Sequence, residues 1–118
     1  MTNSQMPAII KETSSGTVCY RIQDAMFMRR EITLSGEITQ ESASACIMQL
    51  QYLAAQSADE EITLYINSSG GDVTAGLALY DVMQAVKCPI HTVCMGMAAS
   101  MGAILFTAGD IRDIMPHA

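Results

Sequence analysis

Residues 61–74 read Glu-Ile-Thr-Leu-Tyr-Ile-Asn-Ser-Ser-Gly-Gly-Asp-Val-Thr. A β-prone run is followed by two adjacent glycines, and then by Asp72 and Thr74, either of which can start a helix by accepting a free N–H. The stretch therefore reads as strand, tight turn and helix. Its first four residues repeat Glu31 to Leu34, thirty positions earlier, a spacing of about one βα unit. A third β-like segment, Ile90 to Cys94, follows after a similar interval.

Helical patterns fill both gaps. The first opens at Thr39, an N-cap with Glu41 in the first turn, and sets Ala43, Cys46, Ile47, Leu50, Leu53 and Ala54 on one face. The second opens near Asp72 or Thr74, runs a stripe through Leu77, Tyr80, Met83 and Val86, and is stopped by Lys87, Cys88 and Pro89. Strand and helix in alternation predict an α/β fold with a parallel-rich sheet covered by helices. Residues 1–22 differ: Pro7, a Thr/Ser run around Gly16 and β-prone Thr17 to Ile22 predict an exposed arm or hairpin, joined to a short helix near Asp24 to Met28.

The 118 residues suit one domain, residues 1–118, and half of them are hydrophobic while 15% are charged. With a net charge of -6 and only six Lys and Arg, the chain cannot neutralise a line of phosphates, so nucleic acid is excluded as a partner. Arg29 and Arg30 are flanked by Asp24 and Glu31 and read as a solvated turn. Cys19, Cys46, Cys88 and Cys94 form no C-x-x-C pair and have no His at zinc-ligand spacing, which predicts reduced packing residues, no metal and a cytoplasmic setting. The N-terminus has no basic start with an apolar stretch behind it, so no export signal is read. The uncharged run from Cys88 to Gly109 is broken by Pro89, His91, Gly96, Ser100 and Gly102, which predicts a buried strand, turn and helix in place of a membrane span. Met26, Met28, Met83, Met95, Met97 and Met101 are read as core fillers rather than soft-metal ligands.

Chemistry is expected at two glycine-rich turns, each between a strand and a helix. In the turn at residues 67–74, Gly70 and Gly71 let the backbone approach a ligand and point amides at a negatively charged oxygen. Neither nucleotide-loop spacing is present and no Lys is near, which argues against phosphate. In the second, Gly96-Met97-Ala98-Ala99-Ser100-Met101-Gly102-Ala103, the small residues Ala98 and Gly102 flank Ser100 at minus two and plus two. A sharp strand-to-helix turn that lifts a serine hydroxyl clear of the backbone demands such neighbours. The alternative is that Ser100 serves only as an N-cap and its neighbours only permit close helix packing.

Both turns match one family. Leu64 to Gly71, Thr74-Ala75-Gly76 with Tyr80 to Gln84, and Met95 to Ala103 resemble ClpP, the proteolytic subunit of the ATP-dependent Clp protease. The likeness runs in register along the chain, including Pro7 in the arm and Leu34-Ser35-Gly36-Glu37-Ile38 after the first strand. The resemblance implies a crotonase-like spiral of βα units and a serine endopeptidase acting on unfolded polypeptide. It implies subunits in heptameric rings stacked as a tetradecamer, fed by an AAA+ ATPase unfoldase that uses the ATP, with no cofactor in this chain. It places Ser100 on the nucleophile, the N–H groups of Gly71 and Met101 on the oxyanion hole, and Gly70 to Val73 beside the substrate strand. Tyr65 matches an aromatic position of the family's ATPase-docking pocket, whereas Thr63 and Ala85 stand where larger aromatic groups are expected.

A serine needs a base and the base an orienting group. His117 lies in Met115-Pro116-His117-Ala118, which resembles the segment just ahead of the family's histidine, and is rejected as the base; His91 is read as a strand residue, and Asp110 and Asp113 are not promoted. The resemblance places the family's histidine, aspartate and ring-joining handle helix after residue 118, so a shortened representation and a short paralogue both stand open, and the chain by itself is expected to turn over little. The other readings are a non-catalytic assembly subunit and a crotonase-like acyl-CoA enzyme.

Overall fold

The structure, a computed structural model, describes residues 6–118. The first five residues of the arm lie outside them. An antiparallel hairpin comes first, β1 (Ala8–Thr13) against β2 (Gly16–Arg21), with Thr13 opposite Gly16 at its tip. The helix α1 (Ile22–Met28) follows without a break, beginning two residues earlier than Asp24.

Three strand-and-helix pairs then alternate: β3 (Glu31–Ser35), α2 (Gln40–Gln56), β4 (Ile62–Ser68), α3 (Val73–Ala85), β5 (Ile90–Ala98) and α4 (Met101–Thr107), closed by β6 (Ile111–Ile114). The four strands β3 to β6 form a wholly parallel sheet in sequential order. Each βα unit therefore adds its strand on the same side of the last, in the strand-and-helix alternation that the thirty-residue spacing implied. The two Glu-Ile-Thr-Leu copies lie side by side but offset by two, with Ile32 opposite Leu64.

Local chemistry sets the helix starts. Thr39 Oγ1 accepts the Ser42 N–H at 3.0 Å while Ser42 Oγ accepts the Thr39 N–H at 2.9 Å, a reciprocal cap on α2. Asp72 Oδ1 accepts the Ala75 N–H at 3.2 Å and starts α3. On the covered side of the sheet, Ile32, Leu34, Ile62, Leu64, Ile66 and Ile90 meet Ala43, Cys46, Leu50 and Leu53 of α2, Leu79 and Met83 of α3, and Leu105 of α4. The other side alternates with it and holds Thr33, Thr63, Tyr65 and His91 in partial or full exposure.

Four expectations need correction. The buried stripe of α3 runs through Ala75, Gly76, Leu79 and Met83, and Leu77 is 46% exposed; the small pair Ala75-Gly76 is what lets α4 approach, which turns Leu77 outward. Strand β5 continues past Cys94 to Ala98, so Gly96 and Met97 belong to the strand and not to the turn. Met28 and Met97 are exposed while Met83 and Met101 are core. Cys19 is exposed on the hairpin, unlike the buried Cys46, Cys88 and Cys94, and all four are free thiols. No helix among the described residues is long and apolar enough to cross a membrane.

Candidate functional site

Parallel strands bring their carboxyl ends to one edge, and β4 and β5 end there together. Between Ile66–Cys94 and Ser68–Ala98 the register slips, so β4 advances two residues while β5 advances four. The surplus sits at Gly96, at φ +68°, where a Cβ would stand 2.7 Å from the Asn67 side-chain oxygen. The bulge re-aims the last residues of β5 toward the turn at the end of β4.

That turn is built on Ser68, Gly70 and Gly71. Buried Ser68 Oγ accepts the Gly70 N–H at 3.1 Å. Ile38 donates its N–H to the Gly70 carbonyl at 2.9 Å and accepts the Asp72 N–H at 2.8 Å, which makes Ile38 and Gly71 an isolated parallel bridge. In such a bridge the central residue's own amide points away from its partner. The Gly71 N–H accordingly meets no backbone acceptor among the described residues. Gly70 at φ +114° and Gly71 at φ +153° are both in conformations closed to ordinary side chains.

Across from it, Ala99 donates its N–H to the Ser68 carbonyl at 3.0 Å, and Ser100 follows at φ 55°, ψ −126°. A non-glycine residue in that region carries strain of about 1–3 kcal/mol. It stands at the N-cap position of α4, yet its side chain makes no cap hydrogen bond and its backbone is not the extended form a capping serine takes. The capping alternative is therefore not what the hydroxyl does. Ser100 is exposed. A Cβ on Gly70 would lie 2.8 Å from the Ser100 Cβ and 3.2 Å from its Oγ, so the serine side chain rests on the bare α-carbon of Gly70.

Met101 is buried in space that Gly76 leaves open, since a Cβ on Gly76 would come within 2.6 Å of the Met101 sulfur. Its N–H, at the first position of α4, has no backbone acceptor among the described residues either. Gly102 lets the helix sit on β4, because a Cβ there would be 2.7 Å from the Ser68 carbonyl oxygen. The site thus sets Ser100 against Gly70, with Gly71 next to Gly70 and Met101 next to Ser100 in the chain. Val73 is exposed but begins α3, so the extended stretch beside Gly70 ends at Asp72.

Two other candidates, His91 and Asp110, lie at the opposite end of β5. His91 sits near the start of β5, on the order of 20 Å along the strand from Ala98. Its ring is bracketed by Asp113 Oδ2 on Nε2 at 2.6 Å and Glu61 Oε2 on Nδ1 at 3.3 Å. Asp110 accepts the Ile90 N–H at 2.8 Å and is tied to that same end. His117 lies in the turn after β6, closed by the Ala118 N–H on the Met115 carbonyl at 3.0 Å. Tyr65 stands on the open side of β4, beside Thr33 and Val93 in register. Burial and the neighbouring Glu31 carboxylate, 3.4 Å from its hydroxyl, push its pKa up. Thr63 lies opposite His91, and Ala85 is exposed at the end of α3.

Sequence reasoning missed Ser68, which shapes the site. Ser68 and Thr92 are the buried polar side chains of the described core. Thr92 Oγ1 donates to the Phe106 carbonyl at 2.7 Å and holds the end of α4 on β5. The signal for Ser68 was present, because a serine two residues before a positive-φ glycine pair can close a side-chain turn. A family model described as Clp protease matches residues 14–118.

Proposed function

The chain belongs to the Clp protease family, and from that premise we propose that it acts as a serine peptidase on unfolded polypeptide, with Ser100 as nucleophile. Acyl transfer needs a hydroxyl and two donors that converge on one carbonyl oxygen. The observation that carries the reading is Ser100 itself: an exposed hydroxyl on a strained residue, free of any cap bond, set against the α-carbon of Gly70. In this reading the unaccepted N–H groups of Gly71 and Met101 stabilise the developing oxyanion, and Gly70 guides the substrate strand.

In this reading His91 does not serve as base, and neither does His117, whose segment resembles the one just ahead of the family's histidine. His91 is held by two carboxylates at the far end of β5, and residues 6–118 offer no other imidazole than His117. The chain alone is therefore expected to hydrolyse a model peptide several powers of ten more slowly than a serine with base and orienting carboxylate in place. Fast turnover by the chain would contradict that. Fluorophosphonate labelling of the full-length protein tests the nucleophile: Ser100 is expected to label faster than the background left in Ser100→Ala, and equal rates would sink the assignment.

Family membership also supports self-association into rings and delivery of substrate by an ATPase unfoldase, with Tyr65 on the open sheet face as a docking contact. Four free thiols fit a reducing cytoplasm. A second reading, an assembly subunit without turnover, is favoured by the lack of a histidine hydrogen bond to Ser100 among the described residues. It predicts co-assembly with an active homologue and no labelling of this chain.

A further inference from the structure

We infer that Ser68 is a positioning residue for Ser100, a claim that rests on the reading of Ser100 as nucleophile and adds the residue that sets its distance from the Gly70-Gly71 turn. Ser68 is 2% exposed, and a hydroxyl buried so deeply is costly unless it is bonded. Its Oγ accepts the N–H of Gly70, at 3.1 Å. Gly70 is itself buried, bears the Ser100 side chain on its α-carbon, and through its carbonyl anchors Ile38 at 2.9 Å. The Ser68 side chain thus fixes one wall of the site.

Its main chain fixes the other. The Ser68 carbonyl accepts the Ala99 N–H at 3.0 Å, one residue before the nucleophile, and it abuts the α-carbon of Gly102, two residues after it. A single residue therefore couples the glycine turn to the serine turn, by the hydroxyl on one side and the carbonyl on the other. Replacement by alanine separates the two roles. The main-chain link stays, while the Gly70 N–H loses its acceptor in a buried place, and the turn must open until that N–H finds water. A misplacement of about 1 Å at a reacting group can cost roughly a hundredfold in rate.

The test compares the full-length protein with its Ser68→Ala, Ser100→Ala and Thr92→Ala variants by two readouts. Thr92→Ala removes the other buried hydroxyl, which bonds the far end of α4, and so reports what loss of a buried hydrogen bond does without touching the turn. In Ser68→Ala the amide of Gly70 is expected to exchange with solvent about tenfold faster than in the wild type, with Leu64 and Leu105 unchanged. Fluorophosphonate labelling of Ser100 is expected to slow by roughly 10- to 100-fold in Ser68→Ala and to stay near wild type in Thr92→Ala. Unchanged exchange at Gly70 overturns the inference. So does equal slowing of labelling in Ser68→Ala and Thr92→Ala, which would mark a general loss of stability. If the wild type labels no faster than Ser100→Ala, the nucleophile reading falls, and exchange at Gly70 and Ser100 alone decides whether Ser68 sets their placement.

Discussion

At Gly71 the backbone runs at φ +153°, and a Cβ there would sit 2.8 Å from the Ile38 nitrogen and closer still to its carbonyl. The bridge that aims the Gly71 amide would have to break to admit a methyl group. Gly71→Ala is therefore expected to destabilise the fold by about 1–3 kcal/mol and to slow Ser100 labelling more than that loss explains. Chemical denaturation and labelling of the folded fraction measure the two parts, and a variant as stable and as reactive as the wild type would refute the geometry. The residue scale is also where the strain of Ser100 belongs. Nothing bonds its hydroxyl into a cap, so the conformation is held by its surroundings: Ala99 on Ser68, Gly102 on β4 and Met101 in the notch at Gly76.

Among the elements, α2 is finished by a residue from outside it. Arg30, at φ 63° just after α1, donates from its guanidinium to the carbonyls of Leu53 at 2.9 Å, Ser57 at 3.0 Å and Glu60 at 3.0 Å. A cation at the carboxyl end of a helix satisfies carbonyls the helix leaves open. The sequence neighbours of Arg30 predict a solvated turn residue, but its partners come from 23 to 31 positions away and no local pattern reveals them. Two variants separate its backbone from its side chain. Arg30→Ala and Arg30→Gly both lose the clamp and are expected to be about 1–3 kcal/mol less stable. The glycine variant, free of the left-handed penalty, should be the more stable of the two by about 1 kcal/mol. Urea unfolding ranks them, and alanine equal to or better than glycine would show that the φ of 63° is not a burden.

Over the whole molecule, stability depends on the sheet's covered side, and Cys46 of α2 makes that side sensitive to alkali. Burial pushes its thiol from 9.0 up to about 11. The folded chain keeps this proton where the unfolded chain sheds it, so the contribution is whole below pH 9 and is lost as pH rises from 9 toward 11, at about 1.4 kcal/mol per pH unit. Other groups titrate there too, which makes the comparison with Cys46→Ala the informative one. The wild type should lose more stability than the variant between about pH 8 and about pH 10.5, and parallel losses would show that Cys46 does not titrate as buried. The sheet's other side is unlike it. A parallel sheet is usually covered on both faces, and here Thr33, Tyr65 and His91 remain in partial or full exposure.

By itself the sequence determined the alternation of strands and helices and the two turns, because these follow from spacing, capping residues and small neighbours within about a dozen positions, whereas the choice of Ser100 as nucleophile rests on the resemblance of its turn. The resemblance of those turns was legible for the same reason. The tertiary structure alone decided the rest: which face of α3 is buried, where β5 ends, that Ser100 stands on Gly70, and that His91 is held among carboxylates far from it. Each of these depends on residues distant in the chain meeting at van der Waals or hydrogen-bond distance. A one-dimensional pattern carries a residue's own preferences but not the atoms that will be packed against it.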